Sequence, residues 1–290
     1  MSDEGSRNLR HERQGEANES VGSHGDTYTH GHAEPVLRSH ETRTVENSLA
    51  YGMALLRPGM DVLDLGCGPG TITTGIARLV APGRVIAADL DPGVLERARG
   101  HALAQGITNI DFRVMDAYDL DLGADSVDFA HAHQVLQHVS DPVAVLTEMR
   151  RVTKPGGTIA VRDADYSGFV WYPADAQLDR WLSLYIQAAR SNGGEPDAGR
   201  RLLAWARRAG LADVVSTSST WTYPAGEGAR SWGTMWADRV LGSALTTQLL
   251  EQGLATLDEL RTISQAWRFW SEDPDAWFIV PSGELLATVP

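Results

Sequence analysis

A run of alternating glycines is the feature of this chain best suited to binding a small charged molecule. Gly66, Gly68 and Gly70 follow a short apolar stretch over residues 62–65. Glycine lets the backbone approach a ligand closely and adopts turns that other residues resist. Residues 71–80 then space their apolar side chains as in a helix. A strand, a bare turn and a helix N-terminus together favour a ligand that carries a carboxylate or phosphate.

The spacing of these glycines separates two nucleotide-binding patterns. Dinucleotide-binding proteins use G-x-G-x-x-G, which from Gly66 would require a glycine at position 71. That position holds Thr71, and the third glycine comes one residue early. A nicotinamide-dependent oxidoreductase is therefore the weaker alternative. With Asp64 included, the pattern is D-x-G-x-G-x-G.

Two further acids stand where predicted strands end. Residues 84–89 form an apolar stretch that finishes at Asp89, and residues 110–116 alternate in polarity and finish at Asp116. Pro92 suits the first turn of the helix expected between the two strands. A carboxylate at a strand end offers two acceptor oxygens to a pair of ribose hydroxyls. We therefore predict that Asp89 binds a ribose.

The order of these pieces resembles the class I S-adenosylmethionine-dependent methyltransferases. The resemblance extends over residues 51–166 and includes a fourth strand over 126–131 and a fifth over 158–162. It implies an α/β fold, with a Rossmann-like seven-stranded sheet, helices on both faces and a helical, tryptophan-rich lid. The last strand, at about 277–289, would run antiparallel to its neighbours. The implied cofactor is S-adenosyl-L-methionine.

The resemblance also implies which residues surround that cofactor. Asp89 would bind the ribose and Asp116 the adenine amino group. The full expected set is Asp64, Gly66, Gly68, Gly70, Asp89, Leu90, Met115, Asp116, Ala117 and His133. Cys67 is the only cysteine, which excludes an internal disulfide and suits a reducing cytoplasm.

Composition narrows the class of partner. The chain has 290 residues and a net charge of −13, with 25 basic and 38 acidic side chains. This balance disfavours a nucleic-acid substrate, because phosphate backbones attract basic surfaces. No apolar run is long enough for a membrane span, and the N-terminus lacks the apolar core of a signal peptide. We expect a cytoplasmic protein that acts on small molecules, and a homodimer is left open.

The tryptophans divide the chain, since all nine lie after residue 170. The expected organisation is a disordered tail over 1–25, N-terminal lid helices over 26–50, the cofactor-binding core over 51–166, and the remaining strands over 167–290. Within the last part, insertions over about 167–194 and 226–275 would cap the substrate. Helical aromatic stripes are more often core than pocket, so we expect a minority of these aromatics to line a flat acceptor site.

Methyl transfer requires the nucleophile, methyl carbon and sulfur in line, water excluded and often one proton removed. The candidate bases are His32 in the predicted lid, with Tyr28 as its hydrogen-bond partner, and His133 at the mouth of the fourth strand. Asp165, after the fifth strand, is a further catalytic candidate. The expected acceptor-binding residues are Tyr28, Gln134, Tyr166, Trp171, Tyr172, Trp232 and Trp236.

A metal is not expected, although histidines crowd the N-terminal region. They stand at His24, His30, His32 and His40. They lack a recognised ligand spacing, and methyl transfer does not require a metal unless a catechol is held.

The core resembles small-molecule methyltransferases of the ubiquinone and menaquinone type, which act on carbon, nitrogen or oxygen. A narrower actinobacterial natural-product group, which methylates C3 of indoles so that a pyrroloindoline can form, is similar to this chain in residues 28–32, 38–40 and 162–166 and in the tryptophan-rich insertions. An indole suits an aromatic cage, and removal of its N1 proton pushes electron density to C3. The prediction is indole C3-methylation with a histidine base. Methylation of a quinone, phenol or amine stays open, as does a catalytically silent cofactor-binding subunit.

Overall fold

The computed structural model describes residues 42–290 and is built around a mixed β-sheet. Its first half comprises α1 (Val45–Ser48), α2 (Ala50–Met53), β1 (Val62–Leu65), α3 (Thr71–Val80), β2 (Val85–Asp89), α4 (Pro92–Ala104), β3 (Ile110–Val114), β4 (Val127–His133), α5 (Pro142–Val152) and β5 (Thr153–Ala164). Its second half comprises β6 (Val170–Tyr172), α6 (Ala176–Ser191), α7 (Leu202–Arg208), β7 (Ala212–Pro224), α8 (Glu227–Arg239), α9 (Ala244–Glu251), α10 (Leu257–Glu272) and β8 (Trp277–Thr288). The predicted tail over 1–25 and most of the predicted lid lie outside the described residues.

Local chemistry accounts for the alternation of strands and helices. All four residues of β1 are buried, as expected for a strand covered by helices on both faces. The helices α4 and α5 both begin with an aspartate and a proline. The side chains of Asp91 and Asp141 each accept two backbone N–H groups of the first turn, and Pro92 and Pro142 follow them.

Four parallel pairings assemble the first five strands in the order β3-β2-β1-β4-β5. β8 runs antiparallel to β5, β6 and β7. Residues 277–279 pair with both β6 and β7, so those two strands lie on opposite sides of β8. The α/β fold and the antiparallel last strand are confirmed. The sheet has eight strands rather than the expected seven, because residues 170–172 form an additional short strand.

Most of the tryptophan-rich region is core. Trp181, Trp236 and Trp267 are almost fully buried, and the Trp181 ring meets the rings of the other two edge to face. Such edge contacts are a favourable arrangement for aromatic quadrupoles. Helices α6, α8 and α10 thereby form one packed layer beside the sheet. Within residues 42–290, no helix has the length and apolar character needed to cross a membrane.

Candidate functional site

A cavity of about 240 Å³ lies at the carboxyl ends of the central strands. Its lining residues form two walls, one on each side of the central strands. The loops after β1, β2 and β3 supply the glycine wall, which comprises Asp64, Gly66, Gly68, Asp89, Leu90, Met115, Asp116 and Ala117. The residues after β5, helix α8 and strand β8 supply the aromatic wall, which comprises Tyr166, Phe169, Trp232, Met235, Trp236, Arg239 and Val280. Arg43, His133, Gln134 and His138 also line the cavity, between the two walls.

The glycine loop has a backbone that leaves room for a ligand. Gly66 has φ +65° and Gly68 has φ +55°, a left-handed conformation that favours glycine. A Cβ on Gly66 would lie 2.4 Å from Cγ2 of Val135. The N–H of Gly68 donates to Oδ2 of Asp89 at 3.0 Å, and the N–H of Asp91 donates to Oδ1 at 3.1 Å. The Asp89 carboxylate is thus fixed beside the loop, and a carboxylate can accept more than two hydrogen bonds.

Asp64 makes hydrogen bonds that connect the glycine loop to neighbouring elements. Its Oδ2 accepts from the hydroxyl of Thr73 at 2.6 Å, and its Oδ1 lies 2.7 Å from Nδ1 of His131. Because a carboxylate accepts, this contact places the His131 proton on Nδ1. Both Asp64 oxygens are therefore used inside the protein, and the residue ties β1 to α3 and β4.

A tyrosine that the sequence did not single out joins the loops after β3 and β4. Tyr118 lines the cavity, and its Oη accepts the N–H groups of Ser140 at 3.0 Å and Asp141 at 3.1 Å. Its own N–H donates to Oδ1 of Asp116 at 3.0 Å. This chain of contacts holds Asp116 at the end of the glycine wall.

Stacked rings form the aromatic wall. Tyr166 lies between Phe169 and Tyr185, with ring centroids 4.5 and 4.1 Å away. Trp232 stacks on Tyr223 at 4.2 Å. Burial raises the pKa of Tyr166 and raises that of Tyr223 to about 12, so both phenols stay neutral. The result is a flat, rigid and mostly apolar surface.

His138 contributes a neutral imidazole to the cavity. Burial lowers its pKa to about 3, and the charges of Arg43 and Arg239 add to the effect. The N–H of Ala164 donates to Oε1 of Gln137 at 3.1 Å, so the amide nitrogen of Gln137 faces Nε2 of His138 at 3.0 Å and donates to it. The imidazole proton is then on Nδ1. His138 can donate a hydrogen bond but is a poor base.

The structure brings together most residues expected at the cofactor. Those that line the cavity are Asp64, Gly66, Gly68, Asp89, Leu90, Met115, Asp116, Ala117 and His133. Gly70 is not among them. It has φ +79°, and a Cβ there would lie 2.9 Å from Cβ of Ala98, so its role is to begin α3 close against α4.

The expected acceptor residues divide into two groups. Gln134, Tyr166, Trp232 and Trp236 line the cavity. Trp171 and Tyr172 do not, which corrects the prediction for them. The chain after β5 makes a 3₁₀ turn and then pairs with β8, so Trp171 stacks on Phe278 at 5.7 Å and Tyr172 is 60 % exposed.

The catalytic candidates also differ in their placement. His133 lines the cavity and is buried. Asp165 is not among the lining residues, and its Oδ2 accepts a hydrogen bond from Nε of Arg200 at 2.6 Å. The candidates Tyr28 and His32 lie outside the described residues, and so do His24, His30 and His40. Arg239 and His138 were not foreseen as cavity residues, since a lone arginine in a helix or a histidine after a strand is an ordinary pattern.

Comparison with known proteins identifies the family. A model of the methyltransferase domain matches residues 56–200. An uncharacterized methyltransferase of Schizosaccharomyces pombe is 34 % identical over 271 residues, which cover 89 % of this chain and 95 % of the relative. The chain is a class I S-adenosylmethionine-dependent methyltransferase. A protein of Aspergillus luteorubrus named "Probable methyltransferase ltbC" is 33 % identical over 282 residues, covering 90 % of this methyltransferase and 97 % of the relative.

Similarity in sequence also reaches a more distant group. Ubiquinone biosynthesis O-methyltransferase of Xanthomonas axonopodis is 40 % identical over 113 residues. That match covers 38 % of this methyltransferase and 46 % of the relative. It therefore concerns less than half of either chain.

Solved structures share the fold. The YcgJ protein of Bacillus subtilis has a TM-score of 0.54 at 20 % identity, covering 84 % of this chain and 98 % of that one. Phosphoethanolamine N-methyltransferase 2 of Haemonchus contortus, in complex with S-adenosylhomocysteine, has a TM-score of 0.53 at 14 % identity, covering 87 % and 52 %. This methyltransferase therefore shares its fold with both proteins.

The glycine wall suits S-adenosylmethionine. A side chain at Gly66 would clash with Val135, so the close packing of this loop on the residues after β4 requires glycine there. Asp89 would be the residue that accepts hydrogen bonds from the ribose, and Asp116 lies further along the same wall. The family assignment removes the nicotinamide-dependent oxidoreductase as an alternative.

Proposed function

We propose that this methyltransferase transfers the methyl group of S-adenosylmethionine to a planar aromatic small molecule, with an indole methylated at C3 as the preferred acceptor. One observation carries the proposal: the glycine wall and the aromatic wall line the same cavity. A donor held by the first wall and a ring held by the second would share one enclosed space. Proximity of this kind is a large part of catalysis in two-substrate reactions.

The shape of the aromatic wall supports a flat acceptor. Tyr166 and Trp232 are each fixed by stacking on a neighbouring ring, at 4.1 and 4.2 Å. Met235 and Val280 add aliphatic surface to the same wall. Rings that are already ordered lose little entropy on binding, and they favour offset stacking with another π-system.

The cofactor, when bound, supplies a methyl group on a sulfonium. The walls align the acceptor and exclude water, and a base takes one proton. In the indole reaction the C3–methyl bond forms as the methyl–sulfur bond breaks, and the N1 proton leaves to neutralise the ring. We assign the role of the base that accepts this proton to His133, which is 6 % exposed and lines the cavity. His138 is the poorer choice, because its pKa of about 3 leaves little affinity for a proton.

Aromatic contacts orient His133. Its ring lies 5.6 Å from the ring of Trp221 and 6.4 Å from that of His131. The guanidinium carbon of Arg162 lies 4.4 Å from the centre of the Trp221 ring. This contact helps to fix the Trp221 side chain that neighbours His133. His32, with Tyr28 as partner, is the second candidate for the base and stays a prediction.

The test uses purified enzyme, methyl-labelled cofactor and a panel of indoles, quinones, phenols and amines. We expect label in an indole, at C3. Replacement of His133 by Gln should lower kcat by about a hundredfold or more, as loss of a general base does. Binding of S-adenosylhomocysteine should change much less. His101→Gln, on α4 and outside the cavity lining, is the matched control.

O-methylation of a phenol is the second candidate. It is favoured by the 40 % identity over 113 residues to a ubiquinone biosynthesis O-methyltransferase. A phenol would place its ring on the same wall and release its O–H proton to the same base. Label confined to phenols would remove the indole claim. Absence of label across the panel would favour a silent cofactor-binding subunit.

A further inference from the structure

The end of the sheet that is formed by β6, β8 and β7 has two faces of different surroundings. β8 pairs with β6 through residues 277–279 and with β7 along most of its length. Paired residues of antiparallel strands point to the same face of a sheet, and successive residues of one strand point to opposite faces. The register of these pairs therefore shows which side chains share each face.

One face belongs to the aromatic layer. Trp171, Phe278 and Tyr223 lie opposite one another in the register. Trp171 stacks on Phe278, and Phe278 contacts Trp267 of α10. Tyr223 stacks on Trp232 of α8. Helices α8 and α10 therefore pack on this face.

The opposite face is apolar as well, and we call it the outer face. It consists of two rows across the three strands, Tyr172–Trp277–Pro224 and Val170–Ile279–Thr222. Tyr172 is 60 % exposed, Val170 50 % and Trp277 40 %. Where one face of an antiparallel sheet meets water, its outward residues are usually polar. Five of these six residues are aromatic or aliphatic, a pattern that marks an interaction surface.

Charge separates the kinds of partner that the outer face could bind. None of its six described residues is charged, although the chain has a net charge of −13. Two copies of an acidic protein repel each other over much of their surface, so an uncharged apolar face is where they can meet. An anionic lipid surface would instead favour lysine or arginine beside the apolar side chains. The pattern therefore favours a second copy of this chain over a membrane.

The two rows also make the outer face complementary to itself. One row has the large rings of Tyr172 and Trp277, whereas the other has the smaller side chains of Val170, Ile279 and Thr222. A two-fold axis between the rows would place the bulky row of each copy over the smaller row of the other, as an isologous contact requires. Sheets that pack face to face in this way lie about 10 Å apart, with their side chains interdigitated.

We propose that this methyltransferase forms a homodimer in which the outer faces of two copies pack against each other. The proposal goes beyond the proposed function and does not depend on it. The exposed rings and Val170 would form the apolar core of an interface that buries about 800 Å² per partner, the usual size of a stable one. Ile279 is followed by Val280, which lines the cavity, so the dimer would support the aromatic wall from the other side of β8.

The experiment measures the mass of the full-length enzyme by sedimentation equilibrium. Protein concentrations from about 1 to 100 μM cover a range in which a dimer with a Kd of about 1 μM dissociates measurably. Wild-type enzyme should reach twice the chain mass of 31.5 kDa at the upper end. Tyr172→Glu should raise Kd at least about tenfold, because each copy would bury an unpaired carboxylate in the interface. Tyr172→Phe should keep the wild-type Kd.

Phe269→Glu is the matched control. Phe269 is 69 % exposed but belongs to α10, which packs on the other face of the sheet. This variant should dimerise like wild type. Val170→Glu is a second change within the outer face and should weaken the dimer as Tyr172→Glu does. If Tyr172→Glu does not fold, as judged by its Tm, the wild-type mass and Val170→Glu still decide.

Three results would overturn the proposal. The first is a wild-type enzyme that stays monomeric at the highest concentration. The second is a dimer whose Kd is unchanged in both Tyr172→Glu and Val170→Glu, since the interface would then lie elsewhere. The third is monomeric wild-type enzyme that sediments with vesicles of phosphatidylcholine and phosphatidylserine while Tyr172→Glu does not, because the outer face would then bind lipid.

Discussion

The glycine wall and the aromatic wall are built in different ways. The glycine wall comes from three short loops, each directly after a parallel strand, and its shape is set by backbone conformation at Gly66 and Gly68. The aromatic wall comes from side chains of a 3₁₀ turn, a helix and a strand that are far apart in sequence. The first can therefore be recognised locally, whereas the second exists only after the helices have packed. Under the proposed function, donor binding would depend on the loops of the sheet, and acceptor choice on the side chains that pack against them.

The largest expected effect on binding comes from replacing Asp89 in the glycine wall. Asp89→Ala removes a carboxylate that organises the loop through Gly68 and that is expected to accept two ribose hydroxyls. We predict at least about a hundredfold weaker binding of S-adenosylhomocysteine, measured by calorimetry, since each charged hydrogen bond contributes roughly 1.5–3 kcal/mol.

The control for Asp89 is Asp111→Asn, which removes a carboxylate paired with Arg113 outside the cavity lining. It should leave cofactor affinity unchanged. An Asp89→Ala enzyme that still binds S-adenosylhomocysteine at wild-type strength would show that the ribose is held elsewhere.

The same contrast explains what the sequence could predict. Gly66, Asp89 and Asp116 were recognisable because strand, turn and acid follow one another at fixed spacing, and the sheet order places their strand ends together. Asp89 and Asp116 indeed line one cavity. Closeness to β5 in the sequence did not predict which residues line the aromatic wall. Trp171 comes soon after β5, yet it pairs away from the cavity, because β8 offers an open edge there.

Arg239, by contrast, could not be predicted from the sequence as a cavity residue. Nothing in its neighbouring residues distinguishes it from a solvent-facing arginine at a helix end, where a cation is favourable in any case. Its burial depends on Trp236 beneath it and on the tertiary position of α8. Helical periodicity in the sequence reports local spacing, so it does not predict packing between elements that are far apart in the chain.

Trp232 provides a test of intermediate size. Trp232→Ala removes a ring that lines the cavity and stacks on Tyr223. We predict about a thirtyfold loss in kcat/KM for the aromatic acceptor, or roughly 2 kcal/mol, with cofactor affinity nearly unchanged.

Trp267→Ala is the companion variant, because Trp267 is fully buried in the same aromatic layer but does not line the cavity. It should lower Tm strongly and, in the folded fraction, leave KM for the acceptor near the wild-type value. If the two variants affect KM equally, the aromatic wall acts through stability alone and the contrast between lining and core fails.

The smallest effect concerns two buried groups behind the aromatic wall. Burial raises the pKa of Asp163 to about 8, whereas it lowers that of His138 to about 3. Gln137 joins them, since its N–H donates to Oδ1 of Asp163 at 3.0 Å and its amide donates to His138. The folded state therefore prefers a protonated carboxyl and a neutral imidazole side by side.

These two shifts act on stability with opposite sign. Asp163 binds a proton in the folded but not the unfolded chain between about pH 4 and pH 8, so its contribution falls as pH rises through that window. His138 binds a proton only in the unfolded chain between about pH 3 and pH 6.5, so its contribution is lost as pH falls through that window. The slopes oppose each other below pH 6.5, and only the Asp163 slope remains above it.

We therefore predict that Asp163→Asn becomes more stable relative to wild type as pH rises from 6.5 to 8, by about 1 kcal/mol in the free energy of unfolding. Urea unfolding at pH 5, 6.5 and 8 measures the difference. Asp128→Asn is the control, because hydrogen bonds from Lys154 and the Asp61 N–H hold the pKa of Asp128 below its usual range despite partial burial, and this variant should show no such slope. A constant difference between Asp163→Asn and wild type across the three pH values would mean that the carboxyl is ionised throughout. Asp163 would then be a buried anion that accepts the N–H of Gln137, and not the neutral carboxyl that its raised pKa indicates.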